Sequence, residues 1–158
     1  MTTGGAQVAV PRWLPVTAGA LAVAGLAVSG YLTYEHFTAS STLACPDNGV
    51  VSCAKVTASD QSRLFGIPVA PLGLGYFAVM LAAVLPAGWR LTDRRLRWLR
   101  LGAATAGVGF VLYLVYAELF VIDAICLWCT AVHLLMFALF GVVAVGTALT
   151  AEAASASP

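Results

Sequence analysis

The chain has 158 residues, of which 61% are hydrophobic and 9% charged, with a net charge of +1 and a mean hydropathy of +0.92. Soluble domains carry about 25% charged residues, so this composition excludes an ordinary soluble domain and specifies an integral membrane protein. No basic cluster interleaved with aromatics, no phosphate-cradling glycine motif and no Ser-His-Asp arrangement is present, so nucleic acid is not an expected partner.

Residues 1–12 are short, polar and glycine-bearing, and read as a cytoplasmic N-terminus. Residues 14–37 form the first apolar run, 24 residues long, against about 20 needed to cross the hydrocarbon. A cleaved signal peptide is the rival reading, but signal cores run about 7–15 residues behind a basic start, and this run is longer with almost no basic flank. Residues 38–66 are the long polar segment, with Cys45, Cys53, Lys55, Arg63 and many Ser and Thr. Residues 69–85 read as a second span, opened by Pro68 and Pro71, which a first helical turn tolerates because its N–H groups have no partner there. Residues 88–100 read as a short basic loop with Trp89 and Trp98 at interface-like positions. Residues 101–122 are the third span and 125–149 the fourth; residues 151–158 read as a disordered tail. The expected fold class is an all-α bundle of four transmembrane helices, residues 13–150, with a long extracytoplasmic loop between helices 1 and 2.

Arg90, Arg94, Arg95, Arg97 and Arg100 cluster between spans two and three, and Arg12 precedes span one. The positive-inside rule places both termini and this cluster in the cytoplasm. All four cysteines then fall on the outer face, where disulfides persist. Hydropathy chose the spans and arginines the orientation, so this agreement is an independent check.

Cys126 and Cys129 form a Cys-x-x-Cys pair on a helix expected to start near Ile125. Unpaired N–H groups at a helix N-terminus stabilise a thiolate there. A pair so close in sequence makes an exchangeable bridge, suited to catalysis. Four cysteines allow three complete pairings, and two purely structural disulfides are the plain alternative. A zinc site does not fit, since Cys45 and Cys53 lack the usual ligand spacing.

His133 follows Cys129 by one turn on the same face, as a quinone-carbonyl donor or a buried packing histidine. Glu118 lies near the outer end of span three, where an acid is a proton-transfer candidate by default or simply reaches the interface. Glu35 and His36 read as interfacial. Tyr113 and Tyr116, with Phe110 a turn earlier, either wall a quinone pocket or pack the bundle. Gly102, Gly107 and Gly109 are candidates for close helix approach.

Gly30-Tyr-Leu-Thr33, Ala44-Cys-Pro46, Cys53-Ala-Lys-Val56 with Ser59, Phe65-Gly-Ile-Pro-Val-Ala70 with Leu72-Gly73, and Cys126-Leu-Trp-Cys129 run along almost the whole bundle. Together they resemble the vitamin K epoxide reductase family, specifically bacterial members that work in disulfide-bond formation. The resemblance implies that Cys126 and Cys129 are the active-site pair beside a quinone, with Cys129 nearest the ring. It implies that Cys45 and Cys53 are a shuttle pair, Cys45 exchanging with a secreted thioredoxin-fold (DsbA-like) oxidase and Cys53 attacking Cys126. Ser59 matches the family's loop-helix serine. His133 stands where animal members carry tyrosine, a departure in how the quinone carbonyl is met. Ser59, His133, Phe65, Tyr113 and Tyr116 are the candidates for binding or supporting the quinone.

No thioredoxin-like segment follows Cys129, so a separate partner polypeptide is expected. The Arg-over-Lys, Ala-rich composition suggests a high-GC bacterium, hence its inner (cytoplasmic) membrane, and menaquinone ahead of ubiquinone; no metal is expected. Two alternatives stand beside this reading: a quinone or epoxide reductase of a vitamin K cycle, and a non-catalytic membrane protein braced by disulfides.

Overall fold

The computed structural model describes residues 10–38, 44–46, 48–90 and 94–155; the expectations for residues 1–9, 39–43, 47, 91–93 and 156–158 lie outside it. The elements are α1 (Trp13–Thr38), α2 (Cys53–Ala58), a 3₁₀ turn (Asp60–Ser62), a hairpin of β1 (Arg63–Leu64) and β2 (Ile67–Pro68), α3 (Val69–Val84), α4 (Pro86–Arg90), α5 (Arg94–Ala117), a π turn (Glu118–Ile122) and α6 (Leu127–Ser155). Among them α1, α5 with its π turn, and α6 are long and apolar enough to cross a membrane; α3, with 16 residues, is shorter.

The helices are apolar all round, so packing is selected by size rather than by a hydrophobic stripe. α1 turns Leu14, Ala18, Ala22, Gly25, Ser29, Leu32 and Glu35 inward, mostly small residues at three- and four-residue spacing, while Val16 and Val23 face outward. A Cβ on Gly25 would collide with the Phe77 ring of α3. Of the three glycines expected to permit close approach, Gly107 does so, against the Tyr76 hydroxyl and Met136, whereas Gly102 and Gly109 have nothing within 4 Å. Tyr76 Oη also donates to Ala103 O at 3.1 Å, tying α3 to α5.

The basic stretch departs from the expected loop. Leu85 precedes Pro86 and takes an extended conformation, because a proline ring clashes with a helical predecessor, and this ends α3. Trp89 then folds back, its Nε1 donating to Val84 O at 2.9 Å, and is buried rather than interfacial; Trp98 is exposed. Arg100 stacks on Trp89, 3.5 Å from guanidinium carbon to ring centroid. Arg94, Arg95, Arg97 and Arg100 are helical, in the first turns of α5, and Arg97 Nη1 donates to Thr150 O at 3.4 Å. At the C-terminus α6 runs through Ser155, beyond the boundary expected at 149–150, because the Ala-Glu-Ala-Ala run favours helix.

Candidate active site

The four cysteines gather at the bundle end opposite the arginines, where α1 and α5 finish and α3 and α6 begin. The link from α5 to α6 sets this up. The π turn over Glu118–Ile122 ends at Asp123, which takes a left-handed conformation with φ 51°, one that aspartate tolerates better than most residues. The Ala124 N–H donates back to Glu118 O at 3.1 Å. The chain reverses over the four residues 123–126 and enters α6.

Cys126 is the residue before that helix, not inside its first turn as the sequence suggested. Its Sγ accepts the Cys129 N–H at 3.3 Å, and its carbonyl accepts the Thr130 N–H at 2.8 Å. A sulfur thus occupies the N-cap position where Ser or Asp usually sits. Cys126 is fully buried and Cys129 partly so, and both are free thiols. The Cys126 thiol is held below its ordinary pKa, foremost by the hydrogen bond with the Cys129 side chain and further by the backbone N–H groups of Cys129 and Trp128, against desolvation.

Cys45 and Cys53 are joined in a disulfide, with Cα atoms 6.1 Å apart. Cys53 opens α2, whose start is capped by Ser52 Oγ accepting the Lys55 N–H at 3.4 Å. A short parallel bridge pairs Val51 with Ile125: the Ser52 N–H donates to Ile125 O at 3.1 Å and the Ile125 N–H to Val50 O at 2.9 Å. Lys55 Nζ donates to Asp123 O at 3.4 Å, and Trp128 Nε1 to Ala44 O at 3.1 Å. Tyr31 packs on Trp128 with ring centroids 4.9 Å apart, and its hydroxyl accepts the Ala44 N–H. The result is one buried cluster in which Cys53 and Cys126 share Val56, Ala117, Ile122 and Ala124, with Cys45 and Cys129 packed against it.

Beside the cluster lies a partly open cavity of about 1050 Å³, lined by Cys129, His133, Glu118, Ser59, Phe110 and Leu114 among others. That is large for a small-molecule site. His133 is 5% exposed, and no hydrogen bond from its ring is found among the described residues. Ser59 closes α2, its Oγ donating to Val56 O at 2.7 Å, and it lines the cavity.

Three sequence candidates lie elsewhere. Phe65 is 97% exposed at the tip of the β1–β2 hairpin, where it and Gly66 both have positive φ, as a tight two-residue hairpin turn requires. Tyr113 and Tyr116 face outward on α5. Phe110 and Leu114, four residues apart, occupy the inward face, and the 100° step per residue turns both tyrosines away from it. They pack instead on Phe110 and Phe120.

Two buried acids complete the cavity wall. Glu35 is 6% exposed and lines it, buried against protein at the end of α1. Glu118, equally buried, faces the Cys126 backbone N–H and the Cys129 thiol. Helical spacing puts Glu118 on the inward face with Phe110 and Leu114, but gave no hint of that second contact, because it depends on how the π turn and Asp123 bring the start of α6 back against Glu118.

A family model of the vitamin K epoxide reductases matches residues 16–144, most of the chain. The chain belongs to that family. Its members are membrane oxidoreductases that couple thiols to quinone-type electron carriers and generally work with thioredoxin-like proteins. Membership gives this membrane protein the function class of a thiol/quinone oxidoreductase.

Proposed function

We propose that the chain reoxidises a secreted thioredoxin-fold (DsbA-like) protein at a bacterial cytoplasmic membrane, passing electrons from Cys45/Cys53 to Cys126/Cys129 and on to a quinone, with menaquinone the favoured acceptor. The observation that carries this reading is the packing of an oxidised pair and a reduced pair in one buried cluster, with Cys129 also on the wall of a cavity. That redox state is the one expected after the inner pair has taken electrons and the outer pair has been reoxidised.

Each exchange balances. A partner thiolate attacks Cys45, which lies between exposed Ala44 and Pro46. The partner leaves oxidised and Cys53 leaves as thiolate. Cys53 then attacks Cys126 of the inner disulfide, Cys129 departs as thiolate, and Cys45 resolves the Cys53–Cys126 bridge. The cavity residues suit a quinone: an apolar wall for the ring and a histidine with no described partner for a carbonyl. When bound, a quinone supplies a two-electron, two-proton acceptor. The chain positions Cys129 and His133 on one helical face and shields the inner pair from water. In this reading α3 is the fourth crossing, both termini and the arginines are cytoplasmic, and the cysteine end is outside.

The test separates the two pairs. Cys45→Ala or Cys53→Ala should abolish oxidation of the protein partner while leaving quinone reduction by dithiothreitol largely intact, since that small dithiol reaches Cys126 and Cys129 directly. Equal loss of both activities would mean the loop pair belongs to one catalytic centre and is not a shuttle.

A further inference from the structure

Glu118 is a carboxylic acid inside an apolar bundle, and its position is unusually well determined. Its carbonyl is held by the Ala124 N–H, and its side chain, 6% exposed, meets both members of the Cys-x-x-Cys pair. Capping alone does not explain the arrangement. The Cys126 N–H is one unpaired donor at the start of α6, and a carboxylate there would satisfy it, but the same carboxylate also lies against the Cys129 thiol. A carboxylate beside a thiolate is repulsive. Glu118 and Cys129 therefore favour holding one proton between them: carboxylate with thiol, or carboxylic acid with thiolate. The negative charge of the site stays constant while the proton moves. An apolar, water-poor environment favours such an exchange over release of a bare charge.

We infer that Glu118 is the general base that removes the Cys129 thiol proton when the reduced inner pair is reoxidised, an inference that rests on the quinone-linked reading above. Cys126, its sulfur capped by the Cys129 N–H, enters the step as thiolate. The Cys129 S–H bond breaks with the proton going to Glu118, the Cys126–Cys129 S–S bond forms, and two electrons leave to the quinone. Two O–H bonds form there, one with the proton returned by Glu118 and one with a proton from water at the cavity mouth. Glu118 ends the turnover as it began. His133, one turn beyond Cys129, is the hydrogen-bond donor, so acid and imidazole have separate tasks.

The test uses the full chain in lipid nanodiscs. Glu118→Gln keeps size and hydrogen-bonding capacity but cannot take a proton. It should lower the single-turnover rate from the dithiothreitol-reduced protein to a naphthoquinone by roughly 100-fold, within the usual range for a general base, with quinone KM unchanged. The wild-type rate should rise with pH through a limb that the variant lacks. The other ionisable groups on this cavity are Glu35 and His36 of α1, Arg63 of the hairpin, Tyr76 of α3, and Cys129 and His133 of α6, with Cys126 behind them; the limb should survive in His133→Ala and Glu35→Gln. Glu118→Asp should keep the limb at a rate between the two. An unchanged rate and pH profile in Glu118→Gln overturns the inference, and should that variant fail to fold, an unchanged rate in Glu118→Asp does so. A readout without quinone separates this from the wider reading: ultraviolet thiolate absorbance of the reduced pair should develop at lower pH in Glu118→Gln, because the neighbouring negative charge is gone. If wild-type protein shows that difference yet never reduces a quinone, the quinone-linked function fails while the shared proton stands; if the difference is absent, the base assignment fails.

Discussion

His133 shows how far one residue's role follows from spacing. It stands four residues beyond Cys129, about 6 Å along α6 at 1.5 Å per residue, and it lines the same cavity. A neutral imidazole donating to a quinone carbonyl contributes roughly 0.5–1.5 kcal/mol, so His133→Ala should weaken quinone use by about two- to twelve-fold with binding of the protein partner unchanged. His133→Tyr should recover most of that, because a phenol donates from the same helical position. Unchanged quinone kinetics in His133→Ala would make the histidine a packing residue. The placement of Cys129 and His133 on one face was legible because one helix carries both in simple register, with Cys126 at the residue before it. Glu118 was visible only as an acid in an apolar run, since its meeting with Cys129 depends on a π turn and a left-handed Asp123 that no periodicity announces. Phe65 was misread for the opposite reason: the motif it belongs to is adjacent to the site, but a turn needing positive φ at both central residues puts its ring on the outside.

At the scale of elements, helix existence was legible and helix ends were not. Hydropathy located α1, α3, α5 and α6, yet α5 begins inside the arginine cluster and α6 begins one residue after Cys126. The end of α3 is decided by Pro86, and the start of α6 by Asp123 and a sulfur cap, local chemistry that hydropathy averages over. Glycine roles were equally hidden, because a close approach depends on what lies opposite. Gly25 and Gly19 on α1 make the contrast measurable. Each should gain up to about 1 kcal/mol of helix propensity on changing to Ala. At Gly25 the new methyl meets Phe77, and forcing a methyl into a packed core costs about 1–3 kcal/mol, so crowding wins. At Gly19 nothing lies within 4 Å and propensity acts alone. Gly25→Ala should lower the thermal unfolding midpoint in detergent, whereas Gly19→Ala should leave it level or raise it. A drop of equal size in both would remove the α1–α3 contact as the explanation.

For the whole molecule, orientation connects the chemistry to the compartment. The arginines of α5 and the C-terminal half of α6 meet at one end, where Arg97 reaches Thr150 O, and the cysteine cluster sits at the other. The charge rule assigns the arginine end to the cytoplasm, and a stable Cys45–Cys53 disulfide needs the oxidising side. These requirements are physically unrelated, and both favour the orientation proposed above, with the cysteine end outward. After mild reduction of intact cells, a membrane-impermeant maleimide should therefore label Cys45, whose neighbours Ala44 and Pro46 are exposed, and should leave the buried Cys126 nearly untouched. A cysteine introduced as Arg12→Cys, at the exposed start of α1, should react only once the cells are permeabilised. The reverse pattern, with Arg12→Cys labelled in intact cells and Cys45 only after permeabilisation, would put the loop pair in the reducing compartment. A shuttle disulfide fed by a secreted partner has no supply of substrate there, so that result would overturn the orientation and the electron path together.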